Sequence, residues 1–208
     1  FEPKGKYVMV GVRHAGKSYL LYQRARELLA AGHSAEEFCY VNFDDERLAG
    51  LKADDLHLLT DIHAEMFPDA AQEKCYYFLD ELQDVRGWEK FARRLIDSHR
   101  VQLCLTGSSS RMLSQDIATE MRGRSVLQEI FPLSFSEYLI YNGIYKEIPK
   151  LVDAPTVRGK LKHHFADYFR VGGFPDVQGV RDSERIATLQ DYVNAVVYRD
   201  IVERHEIP

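Results

Sequence analysis

No run of apolar residues in this sequence approaches the roughly 18 that a membrane-spanning helix needs, and no charged-then-apolar leader opens it. Cysteine is scarce. Cys39, Cys75 and Cys104 lie far apart with no C-x-x-C pair, which excludes a disulfide scaffold or a zinc knuckle and leaves small core residues in a reducing, cytoplasmic setting. His57 and His63 are not four residues apart, and the adjacent His163 and His164 diverge around a helix, so no zinc site is expected. Basic excess is lacking too. The net charge is −5 and the isoelectric point about 5.9, so the overall balance recruits neither nucleic acid nor an anionic membrane. Internal repeats, low-complexity tracts and a guanine-reading N-K-x-D stretch are missing as well.

What is present is an ordinary globular composition, 45% hydrophobic and 28% charged over 208 residues, enough for one large domain or a domain with a smaller subdomain. Its organising stretch is Gly11 to Ser18, GVRHAGKS, between an apolar run (Tyr7 to Val10) and an amphipathic one. Strand, glycine loop and helix in that order match G-x-x-x-x-G-K-[ST], the Walker A pattern. Gly11 and Gly16 free the backbone so that successive amides turn toward phosphate oxygens. Lys17 is suited to the β and γ phosphates, Ser18 to Mg²⁺, and the helix N-terminus adds its positive end. The candidate nucleotide contacts are therefore Gly11, Val12, Arg13, His14, Ala15, Gly16, Lys17, Ser18 and Tyr19.

Further along, five strands are expected in alternation with helices: Lys6 to Val10, Glu37 to Phe43, Cys75 to Leu79, Val101 to Leu105 and Ser125 to Phe131. The helix after the loop carries Leu20, Leu21, Ala25, Leu28 and Leu29 and stops at Gly32. Asp54 or Asp55 can cap a second helix in which Leu58 or Leu59, Ile62 and Met66 share a face, and Pro68 ends it. The acidic run Asp44 to Glu46 reads as a solvated strand exit.

The third strand closes on Asp80 and Glu81, a Walker B pattern in which Asp80 holds the Mg²⁺ shell and Glu81 polarises the attacking water. Alone, such a pair is more often a loop or cap; the upstream glycine loop reverses that. Trp88, Phe91, Leu95 and Ile96 follow at helical spacing as core. The fourth strand leaves the sheet through Thr106, Gly107 and three serines, where a polar group can sense a γ phosphate and where Ser109 or Ser110 can cap a helix. Arg111, Arg122 and Arg124 follow. Surface arginines are as often merely solvated; the functional reading is an arginine finger reaching a neighbouring subunit, which implies a homo-oligomer.

Beyond Pro132 the character turns helical. Ser134 or Ser136 caps one helix, Val157 to Arg170 reads as another, Gly172 to Pro175 forms a turn, and Glu184 to His205 is a long helix striped by Ile186, Leu189, Val193, Val196, Val197 and Ile201. Because the chain opens on Phe1 and that stripe is unfinished at Pro208, the expectation is a segment of a longer chain with a further C-terminal domain.

GVRHAGKS, YYFLDE, LTGSSS, GRS, PLSFSEYL, GGFP and VVYRDIV, in that order, resemble the bacterial and archaeal AAA-type ATPases whose nucleotide domain precedes a C-terminal domain of uncertain function. The resemblance implies an α/β P-loop fold with a parallel sheet ordered 5-1-4-3-2, a core over residues 1–132, and a helical lid with the start of a linker helix over 133–208. It implies Lys17 and Ser18 at phosphate and Mg²⁺, Asp80 and Glu81 as Walker B, Thr106 to Ser108 as sensor one, and Arg124 or else Arg122 as the finger. Asn42 resembles a polar residue that restrains the Walker B glutamate, and Gly173 and Pro175 a lid turn near adenine. Departures are Val12, His14 and Ser18 in the loop, and a sensor-two arginine for which Arg170 is a candidate by position only.

The expected activity is Mg²⁺-dependent ATP hydrolysis, with Glu81, Lys17, Thr106 and Arg124 as the catalytic set and Ser18 and Asp80 as metal ligands. ATP and ADP are the expected ligands, alongside a protein partner that the sequence does not identify. A slowly hydrolysing interaction switch uses the same motifs. A DNA-associated ATPase rests on family analogy alone, and a small-molecule kinase is disfavoured by the Asp-Glu pair.

Overall fold

The computed structural model describes residues 5–72, 74–98, 100–108, 125–148 and 154–197. They form two compact units, one from the described residues of Phe1–Gly11 and Lys17–Ile130, the other from those of Val12–Gly16 and Phe131–Pro208.

The first unit is a parallel sheet with helical crossovers. Strands β1 (Tyr7–Gly11), β2 (Phe38–Asn42), β3 (Cys75–Asp80), β4 (Val101–Ser108) and β5 (Val126–Ile130) lie in the order β2-β3-β4-β1-β5, all neighbours parallel. This is the expected order, read from the opposite edge. Parallel neighbours require crossovers, and α1 (Lys17–Ala30), α2 (His57–Met66), α3 (Pro68–Gln72) and α4 (Glu89–Asp97) lie in those connections.

Side chains alternate across a strand, and β3 shows what this does for the site. Cys75, Tyr77 and Leu79 join Leu82, Trp88, Phe91 and Leu95 in one core layer. Tyr76 and Phe78 pack in the other with Met9, Leu21, Leu28 and Cys104. Asp80 continues the second series and Thr106 continues that of Cys104, so both belong to the α1 side at the carboxyl edge of the sheet. That edge is where open α/β sheets hold ligands.

The structure differs from the sequence pattern in several faces and ends. Ile62 and Met66 are 50% and 63% exposed, and α2 instead turns His63 inward. Hydropathy misses this because the imidazole is satisfied in place: Nε2 lies 2.9 Å from the Glu36 carbonyl and Nδ1 3.3 Å from the Tyr77 hydroxyl. Pro68 does end α2, but as the first residue of α3. On α1, Leu29 is exposed, while Lys17, Leu21, Arg24 and Leu28 are buried at helical spacing. Strand β4 runs past its apolar stretch to Ser108, because backbone pairing with β1 continues at Val10↔Gly107 and Gly11↔Ser108 whatever the polarity of the side chains.

In the second unit α5 (Phe135–Tyr141), α6 (Pro155–Val171) and α7 (Asp182–Ala195) are described. Of the two candidate caps of α5, Ser134 is used: its hydroxyl accepts from the Glu137 amide, and its own amide donates to the Glu137 carboxylate at 2.8 Å. Phe135, Tyr138, Phe165 and Tyr168 stack α5 on α6, and the Tyr168 hydroxyl donates to the Leu133 carbonyl. On α7 the expected apolar stripe is not the buried side. Ile186 and Val193 are exposed and Arg185, paired with Asp182, is buried. No helix among the described residues is long and apolar enough to cross a membrane.

Candidate functional site

The two glycines of the loop serve different needs. A Cβ on Gly11 would stand 2.1 Å from the Ile130 carbonyl oxygen, so Gly11 permits the close pairing of β1 with β5, without a left-handed backbone. Gly16 has φ +98°, which L side chains avoid. His14 adopts φ +62° despite its Cβ.

Residues 12–16 group with the C-terminal helices. The His14 ring lies flat on that of Tyr192, 3.9 Å away at 6°. Its Nδ1 is 3.5 Å from Asp176 Oδ2, the atom to which the Tyr192 hydroxyl donates at 2.8 Å. Burial and then Asp176 raise the Tyr192 phenol above its ordinary pKa. Pro175 Cγ is 3.8 Å from where a Gly16 side chain would begin, which puts the expected lid residue beside the loop. Ala15 is buried, Arg13 half-buried and Val12 exposed.

In the first unit Lys17 is buried at the start of α1. Its ammonium donates to the Gly11 carbonyl at 3.2 Å and lies 3.4 Å from Glu81 Oε1. Ser18 follows, half-buried, and Tyr19 is exposed. Asp80 is only 2% exposed, and a buried carboxylate needs donors. It has one on each oxygen: the Thr106 hydroxyl on Oδ1 and the Tyr40 hydroxyl on Oδ2, the latter at 3.0 Å. Glu81 leaves β3 in a left-handed conformation, φ 54° and ψ 38°. Its amide donates to Thr106 Oγ1 at 3.1 Å, and its carboxylate accepts from Gln83 Nε2 at 2.7 Å. Thr106, fully buried, is thus donor to one acidic residue and acceptor from the next.

Tyr40, Tyr22 and Gln83 were not legible as site residues. The Tyr40 hydroxyl lies 2.8 Å from that of Tyr22 on α1, and burial, Tyr22 and Asp80 push its pKa well up. The signal for Tyr40 was parity: it shares the α1 face of β2 and sits beside the strand that ends in Asp80.

Elsewhere the side chains find other partners. Asn42 Oδ1 accepts from the Asp44 amide, whereas Glu81 meets Lys17 and Gln83. Arg170 pairs with Asp182 at 3.0 Å. Hydrogen bonds from Arg47 hold the Asp45 carboxyl down at about 2 in an exposed turn. Arg111, Arg122 and Arg124, Ser109 and Ser110, and Tyr198, Arg199 and Asp200 lie outside the described residues.

Comparison with known proteins adds the lineage. The family described as "AAA domain" matches residues 4–139. An uncharacterized protein of Methanocaldococcus jannaschii, MJ1544, is 36% identical over 206 residues, covering 96% of this chain and 42% of its own. An uncharacterized protein of Haemophilus influenzae is 34% identical over 197 residues, covering 95% of this chain and 46% of its own. A second M. jannaschii protein, MJ1637, is 24% identical over 225 residues, covering 99% and 45%. The chain spans less than half the length of the curated relatives it matches. An AAA domain implies nucleotide binding, and with the family matched over most of this sequence and the Walker residues on the edge of a parallel sheet, the chain belongs to the AAA domain family of P-loop proteins.

Proposed function

We propose that this segment binds ATP with Mg²⁺ and hydrolyses it, residues 1–132 forming the nucleotide core and 133–208 a helical lid with the start of a linker. The observation that carries the reading is the constellation of buried Lys17, Asp80 and Thr106 with half-buried Glu81 on one edge of the sheet. A lysine and a carboxylate are costly to bury, and a core of this composition has no need of them.

The donors fit the metal. Mg²⁺ takes hard oxygen ligands, usually one or two from protein with phosphate and water completing the shell. Asp80 and Ser18 are of that kind. Bound there, the ion would neutralise charge on the β and γ phosphates. Loop amides of residues 12–16 and Lys17 hold the triphosphate, Glu81 orients the water and takes up its proton, and Thr106 keeps Asp80 and the Glu81 backbone in place. Glu81 is paired with Lys17 in this structure, so its work on water begins when the ammonium turns to phosphate. The resemblance supports Pro175 as the residue for adenine and Arg124 as a finger for a neighbouring subunit's nucleotide in a homo-oligomer. The choice of ATP over GTP rests on the lack of an N-K-x-D stretch.

Calorimetric ATP binding and steady-state phosphate release, on the protein and on Glu81→Gln, test the reading. Binding in both with turnover only in the parent supports it; no ATP binding by the parent, or equal turnover in the variant, overturns it. A slowly hydrolysing switch is the second reading, favoured by the His14–Tyr192–Asp176 contacts that tie the loop to α7. Firm ATP binding with turnover no faster than in Lys17→Ala would select it.

A further inference from the structure

Asp80 is 2% exposed, so its carboxylate depends on donors from the protein. The Tyr40–Asp80 bond supplies one of those donors. Geometry extends the point. The two donors come from the strands on either side of β3, Tyr40 on β2 and Thr106 on β4. With one hydroxyl on each oxygen, the carboxylate plane is fixed against rotation, and both oxygens keep a lone pair for a further partner.

The Tyr40 hydroxyl also lies 2.8 Å from the Tyr22 hydroxyl, and the two rings are 5.3 Å apart. Tyr22 is four residues beyond Ser18 on α1, one helical turn along the same face. The chain Tyr22–Tyr40–Asp80 thus ties the helix that carries Ser18 to the strand end that carries Asp80, through a third element, β2.

We propose that Tyr40 is a positioning residue for Mg²⁺ at Asp80, and that the Tyr22–Tyr40 pair is a brace fixing the separation of Ser18 and Asp80. This rests on the reading of those two residues as the metal's protein partners. The brace touches neither nucleotide nor metal. It acts by keeping two oxygen ligands on separate elements in register, which matters for an ion that tolerates little departure from octahedral geometry. Its contribution therefore shows in Mg²⁺ dependence and not in the metal-free affinity for nucleotide.

The test is a Mg²⁺ titration of ATP binding, read with a fluorescent ATP analogue and repeated in excess EDTA, on the parent, Tyr40→Phe, Tyr22→Phe and Asp80→Asn. Removing one charge-assisted bond should raise the Mg²⁺ midpoint about three- to tenfold in Tyr40→Phe, and by about two- to threefold in Tyr22→Phe, where only the outer bond is lost. Affinity in EDTA should match the parent in both. Tyr22 is itself exposed, so its variant carries the test should Tyr40→Phe fold poorly. A midpoint in both tyrosine variants equal to that of a Mg²⁺-responsive parent overturns the brace while leaving Asp80 as ligand, provided Asp80→Asn abolishes the response. Equal loss of affinity with and without Mg²⁺ overturns it as well, by showing a general structural role. A parent indifferent to Mg²⁺ removes the metal reading of Asp80 and the brace together.

Discussion

The ammonium of Lys17 lies 3.4 Å from Glu81 Oε1, with the two side chains 3% and 14% exposed. A residue proposed to hold phosphate and a residue proposed to orient water thus neutralise each other in the same structure. Each is the other's competitor for its substrate partner. Glu81→Gln should bind ATP at least as tightly as the parent, since the lysine no longer has a carboxylate to leave, while phosphate release falls by about 10²- to 10⁴-fold. Lys17→Ala should lose ATP binding and also be less stable by about 1–3 kcal/mol, because the Glu81 carboxylate loses the ammonium beside it. Calorimetry and a thermal melt on the two variants check both halves.

Thr106 spends its single hydroxyl twice, donating to Asp80 and accepting from the Glu81 amide. Thr106→Val keeps the shape and removes both bonds. The expected result is slower phosphate release and a raised Mg²⁺ requirement, with a loss of about 1–3 kcal/mol from leaving the Glu81 amide and the buried Asp80 carboxylate each one partner short. Urea unfolding alongside the kinetic assay measures the two effects separately.

Gly11→Ala should act on the sheet. Its Cβ would meet the Ile130 carbonyl oxygen at 2.1 Å, and that neighbour is backbone, which yields only if β5 shifts. A destabilisation of about 1–3 kcal/mol is expected, and the thermal midpoint should fall by several degrees.

The free thiols give a pH test. Burial pushes Cys104 up to about 12 and Cys39 up to about 11, and it raises Cys75 as well. Since the thiolate is the reactive form, folded protein at pH 8 should react with a disulfide reagent far more slowly than protein in denaturant. In the unfolded chain the thiols ionise near their ordinary 9.0, so their contribution to stability is full below that pH. It is lost as pH rises from 9 through the folded values. Denaturant midpoints at pH 8 and pH 10.5 should differ in that direction.

The parts of this fold that could be read in advance are those where one residue type has one physical reason to be present. The apolar runs of β1 and β3, covered on both faces, admit no other reading, and the loop between Gly11 and Ser18 announces itself by spacing. Where polarity and burial part company, pattern misleads. His63 faces the core because a carbonyl and a phenol await it; Met66 does not, although hydropathy favours it. Tyr40 was invisible for a related reason: an aromatic in a strand looks like packing, and only the position of Asp80 across the register turns its hydroxyl into a site feature. Gly11 was found for its motif, but its necessity lies in a strand neighbour that no local pattern names.

The stacking of His14 on Tyr192 bears on how the segment can be divided for expression. The family match ends at residue 139, and a chain trimmed there would keep every Walker residue. It would nonetheless remove Tyr192, Asp176 and Pro175, which neighbour His14 and Gly16 within their own unit. The family match and the unit that holds the loop are therefore different lengths, and among the described residues that unit includes α7.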